Sequence, residues 1–308
     1  MFNKNSNKTL WIVFAVMLIA VILIFTSEST KKERSFRKNI VSVDTSSITS
    51  FSIFPKSKKG EEVKFLKDDD IWKVSGPDLK NYTVPNFKIE NIFNELVKLK
   101  PKRVAARSKA KWAEYQVDSS ATRVVVNESG KEVVNLIIGK FAFQQPRSMS
   151  TFVRLMDEND VYEVDGFLDM TFNKDVNSFR NETVIKSDKN NWNKLTFSHN
   201  NDESFEIVKT NGIWMTDGMA TDSTKTESSL SSLARLTNTE YINDVADGLL
   251  PQQTSKLVIE VEGSENIEVT AFQNESKYII HSSQNVENYF DGNKIGSKIF
   301  ITKESLFN

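Results

Sequence analysis

Chemistry needs groups that can hold protons, electrons or metal ions, and this chain has few. It carries no cysteine and only two histidines, His199 and His281. Without thiols there is no disulfide, zinc–thiolate site, iron–sulfur cluster, thiol nucleophile or lipid-modified N-terminal cysteine. A metal site needs several ligands in defined geometry, and neither histidine has a second His, Asp or Glu at ligand spacing. Both read as surface or strand-end histidines. The acidic run Asp68-Asp69-Asp70 lacks the alternation and terminal Glu of a calcium loop, so it reads as a turn. Asp165 and Asp169 are a candidate carboxylate pair for glycan hydrolysis, although sequence spacing does not give separation in the fold. Gly139-Lys140 ends a β-like run and opens no helix with a following Ser or Thr, so it is not a phosphate loop. GxSxG and HExxH patterns are absent. These residues leave no catalytic group, no metal ligand and no cofactor site to name.

The most conspicuous residues are two tryptophans in the same local context. Val63-Lys64-Phe65-Leu66-Lys67 followed by Ile71-Trp72 matches Phe205-Glu206-Ile207-Val208-Lys209 followed by Ile213-Trp214 at a constant offset. Upstream, Ile48, Phe51 and Ile53 match Trp192, Leu195 and Phe197. Downstream, the run from Thr122 matches the run from Ser255, with Gly130 on Gly263. A fourth block sets Val161 through Leu168 on Ile299 through Leu306. Trp72 and Trp214 are expected to hold a hairpin against a helix rather than to serve as ligand platforms.

The elements around them follow from periodicity. Val63 and Phe65, an acidic turn and then Trp72 read as a hairpin, and Asn211-Gly212 is a stronger hairpin turn in the second copy. Ile89, Ile92, Phe93, Leu96 and Leu99 share one helical face that Pro101 closes. Leu230, Leu233 and Leu236 form a narrower stripe in the second copy. Further strands follow each helix. The expected fold class is α+β: two tandem modules, each mainly antiparallel sheet with one covering helix, over residues 44–183 and 184–308.

Residues 9–26 carry no charge, Gly or Pro. Eighteen residues at ~1.5 Å rise give ~27 Å, close to the ~30 Å hydrocarbon core. The expectation is a single-pass helix that includes Leu10, Trp11 and Phe25, with a short tail over 1–8 and a polar stalk over 27–43. The net charge of −1, from 40 Lys+Arg and 41 Asp+Glu, leaves no basic stripe for nucleic acid. The 21 Phe argue against disorder.

Ile71-Trp72, the loop from Pro77 to Pro85, the helix around Ile92-Phe93-Leu96 and the run from Lys111 resemble a bacterial family. It is the domain-of-unknown-function family numbered four-three-four-zero. Phe179-Arg180-Asn181 resembles that family's joint between modules. Tyr115-Gln116-Val117 departs from it, because the family often has a Tyr-Gly-Leu-like step there. The resemblance implies a setting beside gliding-motility-type ABC transporters and supplies no catalytic residue.

Lys31, Lys32, Arg34, Arg37 and Lys38 after the apolar run would hold the body in the cytoplasm by the Lys/Arg count. The signal-anchor arrangement and the family setting place it outside, and that orientation is adopted. The expected function is therefore a membrane-anchored, non-catalytic accessory or scaffold subunit in the inner membrane. Its expected partners are the lipid bilayer and transporter membrane subunits or other envelope proteins, with no nucleotide or nucleic acid. The alternative is an envelope enzyme acting on glycan through carboxylates that the fold brings together.

Overall fold

Strict alternation sets the strands of this chain. In Val63–Asp68, Val63 and Phe65 point inward while Lys64 and Leu66 are exposed, the period-2 pattern of a sheet with one face on a core. The computed structural model describes residues 11–19 and 37–307, apart from 78, 145–147, 201–203, 244, 246–249 and 274–276. Strand accounts for 44% of the described residues and helix for 23%, so sheets rather than helices carry the fold.

Residues 11–19 form a short exposed helix, α1, with Trp11 71% exposed. Its nine residues span about 14 Å at the α-helical rise, roughly half of a hydrocarbon core. No helix among the described residues is long and apolar enough to cross a membrane. The expected spanning helix is corrected accordingly, and Leu10 and Phe25 lie outside the described residues. Part of the expected stalk belongs to the first core. Ile40 and Val41 are each 3% exposed, and the Ile40 N–H donates to the Leu99 carbonyl at 3.0 Å.

The first unit contains β1 (Ile48–Phe54), β2 (Val63–Asp68), β3 (Ile71–Gly76), β4 (Leu79–Thr83), α2 (Asn86–Val97), β5 (Pro101–Ala106), α3 (Trp112–Tyr115), β6 (Thr122–Glu128), β7 (Lys131–Gln144), β8 (Ser148–Leu155), β9 (Val161–Asp165) and α4 (Asp169–Phe172). Its nine strands pair in the order β4-β3-β2-β1-β6-β7-β8-β9-β5. A connecting strand, β10 (Thr183–Lys186), leads into β11 (Trp192–His199), β12 (Phe205–Thr210), β13 (Ile213–Thr216), β14 (Met219–Ala220), α5 (Ser223–Leu233), β15 (Arg235–Thr237), β16 (Gln252–Val261), β17 (Ile267–Gln273), β18 (Tyr278–Ser282), β19 (Tyr289–Asp291) and α6 (Gly296–Ile299). The second sheet reads β14-β13-β12-β11-β16-β17-β18-β19.

Both sheets therefore run outward from a central pair, β1 with β6 and β11 with β16, through two meanders. In each, the first meander leads into the long helix. The peripheral elements repeat as well. Ser187 N–H donates to Ala234 O at 3.0 Å, as Ile40 does to Leu99. Residues 240–242 run along β19, with Asp291 N–H to Glu240 O at 2.8 Å and Ile242 N–H to Tyr289 O at 2.9 Å. They stand where β5 stands along β9. One sequence match is corrected. Val161 lies in a strand and Ile299 in a helix, and it is Val164-Asp165-Gly166 that corresponds to Phe290-Asp291-Gly292.

The single covering helix of each module is also corrected. A 12-residue helix such as α2 is about 18 Å long, and nine strands span about 38 Å across the sheet. One such helix cannot cover the face. In the first unit α4 packs beside α2, and in the second α6 packs beside α5.

Trp72 is 6% exposed and packs on Phe51 and on Phe93 of α2, with ring centroids 5.4 and 5.6 Å away. Trp214 is 5% exposed. Trp72 pairs with Lys67 and Trp214 with Lys209, the same rung of equivalent hairpins. The Trp72 carbonyl accepts from Val84 N–H at 2.8 Å, and the Trp214 carbonyl from Thr221 N–H at 3.0 Å. Each tryptophan thus ties its hairpin to the segment that opens the helix.

Gln116 ends α3 in the left-handed region at φ 53°. A Cβ on the facing Gly139 would lie 2.3 Å from the Tyr115 carbonyl, so Gly139 permits a close backbone approach. Gln116→Gly should raise unfolding free energy by about 1 kcal/mol by removing the left-handed penalty. Trp72→Ala and Trp214→Ala should each lower it by about 3–5 kcal/mol. Denaturant unfolding of the three variants against the parent chain checks both signs.

Candidate functional site

The residues singled out for chemistry do not converge. His199 Nδ1 lies 3.1 Å from the Ser255 hydroxyl, and its ring meets Phe300 edge-on. His281 stacks on Tyr289, with Nε2 3.3 Å from the Val286 carbonyl. The acidic triplet forms the β2–β3 turn, where Asp68 pairs with Lys73 and Asp70 with Lys67. Asp165 pairs with Lys102 at 2.9 Å, and Asp169 with Lys56 at 2.8 Å. Each carboxylate of the glycan-hydrolysis pair is thus held by its own lysine. Lys140 lies over the Tyr115 and Phe152 rings. Gly130 and Gly263 take positive φ in equivalent turns. Among the described residues there is no cluster of three or more His, Cys, Asp or Glu that could hold a metal.

The polar groups that do converge lie at the joint between the units. Arg180 follows the turn Val176–Phe179 and is fully buried. Its Nε and Nη2 donate to the Asn288 side-chain oxygen at 2.8 and 2.5 Å. Its Nη1 donates to the side-chain oxygens of Asn177 at 3.0 Å and Asn243 at 2.6 Å. Its guanidinium carbon stands 3.6 Å from the Tyr82 ring centroid and 3.9 Å from that of Tyr241. Tyr82 belongs to the first unit; Tyr241, Asn243 and Asn288 belong to the second. Among the described residues no carboxylate forms an ion pair with Arg180. Amide oxygens and two aromatic faces hold the charge instead.

Burial shifts the groups in this cage. It pulls the Arg180 pKa down, while the nearby Tyr82, Tyr241 and Glu287 oppose that shift. It pushes the Tyr241 hydroxyl up, against the influence of Arg180. That hydroxyl is buried and has no hydrogen-bond partner among the described residues.

A second layer braces the cage. Asn288 Nδ2 donates to Asn285 Oδ1 at 2.6 Å, and Asn285 Nδ2 donates to the carbonyls of Asn181 and Thr183 at 2.8 and 2.9 Å. From the first unit, Lys88 on α2 reaches the Ser178 and Arg180 carbonyls and the Glu182 carboxylate at 3.1, 2.9 and 2.9 Å. From the second unit, Glu287 accepts from the Thr83 N–H at 2.7 Å and the Thr83 hydroxyl at 2.9 Å. Arg154 is also buried on carbonyls and stacks on Trp112, but its partners all lie inside the first unit.

Two clefts flank the cage. One, of about 560 Å³, lies between the units, where Thr83, Pro85 and the half-exposed Phe87 face Glu182, Ile185 and Arg235. The other, of about 420 Å³, is lined by Tyr241, Asn243, Lys277, Tyr278, Asp291 and Asn293. Asn243 gives its oxygen to Arg180, so its NH₂ is left for the cleft. Sequence reasoning marked Phe179-Arg180-Asn181 as a joint and missed the cage. The signal was present only as scattered asparagines, which read as loop residues.

A family model described as "Domain of unknown function (DUF4340)" matches residues 72–254. The match runs from Trp72 across the joint into β16. No curated protein and no solved structure matches the chain.

Asn288→Ala leaves a buried cation short of its main acceptor and should cost about 3 kcal/mol. Because Asn288 is the second unit's main hold on Arg180, the parent should unfold in a single calorimetric transition and the variant in two. A single transition at the parent's temperature would show that the cage does not couple the units.

Proposed function

Since the chain belongs to the DUF4340 family, we propose that it is a non-catalytic accessory subunit of a gliding-motility-type ABC transporter at the bacterial cell envelope. Its work is to present a shaped surface rather than to turn over a substrate. The observation that carries this reading is the joint. A fully buried arginine held by both units fixes their relative orientation, and with it the cleft between them. A scaffold gains from such rigidity, because a preorganised surface loses less freedom on binding.

The cleft suits an extended segment of a partner protein. Phe87 offers an exposed ring to the cleft, whose lining also includes Glu182, Lys186 and Arg235. Such an arrangement has an apolar anchor inside a polar rim. The carboxylates considered for glycan hydrolysis are separately engaged by lysines, so no observation favours the enzyme reading.

Affinity purification of the full chain from native membrane should recover transporter membrane subunits. Phe87→Ala should reduce their recovery roughly tenfold, the effect of about 1.4 kcal/mol at a single anchor. The melting temperature should stay within a degree or so, because Phe87 is exposed and contributes little to the core. Unchanged recovery would place the binding surface elsewhere, and recovery of no transporter subunit by the parent chain would overturn the assignment.

A further inference from the structure

Where two charged residues face each other across paired strands, this molecule matches their signs, with one exception. Among the described residues, Arg103 stands opposite Glu163, Lys131 opposite Glu128 and Lys194 opposite Glu260. The connecting ribbon breaks the pattern, because Lys186 of β10 lies directly opposite Arg235 of β15. Residues so placed have Cβ atoms about 5 Å apart, and like charges there repel. Both side chains are exposed, and neither forms an ion pair among the described residues. The rung is also held in register. Lys186 N–H donates to the Gln284 side-chain oxygen at 2.7 Å, and the Lys186 carbonyl accepts from the Gln284 side-chain amide at 3.2 Å. The next rung, Ile185 with Leu236, is packed into the core of the second unit.

The two cations line the cleft of about 560 Å³ between the units, and also a neighbouring hollow of about 690 Å³ that Asp188 and Lys189 share. The other charges around them are engaged. Glu182 pairs with Lys88 at 2.9 Å, and Lys189 pairs with Glu227. Asp188 lines only the hollow, where it accepts from the Asn190 N–H at 2.9 Å. The cleft therefore meets its occupant with two uncompensated positive charges and the exposed ring of Phe87.

A local rule broken in an otherwise consistent structure marks a place that function holds. We propose that Lys186 and Arg235 together bind a carboxylate, the Asp or Glu side chain of a partner segment lying in the cleft. The proposal rests on the reading of the cleft as the partner-binding surface and adds the chemistry of the segment: an acidic residue near an apolar one that meets Phe87. A carboxylate has two oxygens and accepts from an ammonium and a guanidinium at once. It removes the repulsion on the rung, so the charge costs the free chain and is relieved in the complex. The same two cations repel a basic segment, which supplies discrimination as well as attraction. They stand in a cleft between two units rather than on a projection, so an extended polypeptide suits them better than a lipid surface.

Lys186→Glu places opposite charges on the rung and should raise the melting temperature of the full chain by about 1 °C. A fall would show that the pair serves the fold and would overturn the proposal. Lys186→Glu combined with Arg235→Glu keeps the repulsion and reverses its sign. That variant should melt near the parent's temperature, while its recovery of transporter subunits from native membrane falls about tenfold. Carbodiimide applied to the parent in native membrane condenses a lysine amine with a carboxylate it touches, forming an amide as the reagent takes up the water to become a urea. It should join Lys186 to an Asp or Glu of a transporter subunit, and Lys186→Arg should lose the link. Equal recovery by the parent and the double variant, with no link at Lys186, would overturn the carboxylate site and leave the scaffold reading standing. A link from Lys186 to an acidic residue of another identified envelope protein, with no transporter subunit recovered, would support the site and overturn the transporter assignment. If the parent recovers no partner and Lys186 couples to none, both fall.

Discussion

A fully buried cation with no ion-paired carboxylate is the constraint on which the arrangement of this molecule rests. Taking a guanidinium out of water costs several kcal/mol, and a bare interior would not tolerate it. Arg180 is tolerated because three asparagine oxygens and two tyrosine faces replace its hydration. Those groups come from both units and from the segment between them. If the units rotated apart, the arginine would lose its acceptors while still shielded from water. The penalty for misalignment is therefore steep, and it acts on orientation rather than on the fold of either unit.

The duplication explains how the joint and the two surfaces arose from one architecture. Each unit has its own aromatic and aliphatic core, with Phe51 stacked on Phe65 in the first and Phe197 on Phe205 in the second. The stacked pairs fall two rungs apart on equivalent hairpins, since Val63 rather than Phe65 corresponds to Phe205. Each of these sets, Phe51, Ile53, Val63 and Phe65 against Leu195, Phe197, Phe205 and Ile207, holds two phenylalanines and two aliphatic residues in a different arrangement, a change that interiors tolerate when the total volume is kept. The surface had no such constraint. The same Asp-Gly corner carries Met149 and Phe167 in one unit and Tyr278 and Asn293 in the other. One architecture thus presents an apolar projection and a polar cleft.

What the sequence revealed was the part written in apolar periodicity. The Trp72 and Trp214 hairpins and the helix face of Ile89, Ile92, Phe93 and Leu96 were legible because burial forces a repeat of two or of 3.6. The spanning helix was read from hydropathy alone, and among the described residues only a short exposed helix stands there. The fourth matched block failed because Val161 to Leu168 and Ile299 to Leu306 share an apolar pattern across different structures, strand in one and helix in the other. Apolar pattern over so short a run does not separate the two. The segment from Arg37 to Val41 looked like wet stalk because two apolar residues among polar ones make no period. The cage was illegible for a different reason. Asn177, Asn243 and Asn288 are spread over more than a hundred residues, and nothing local distinguishes a buried asparagine from a loop one.

The chemistry of the cage also sets how the joint responds to its surroundings. Amide oxygens do not titrate, and an arginine stays charged throughout the range in which proteins work. A carboxylate in place of Asn288 would have made a stronger pair and a pH-dependent one, lost as acid protonated it. The carboxylate contacts of the joint lie at its periphery, between Lys88 and Glu182 and between Thr83 and Glu287. Salt has little hold on the arginine either, because screening ions do not reach a fully buried charge. The orientation of the units is thus fixed by interactions that neither pH nor ionic strength easily adjusts.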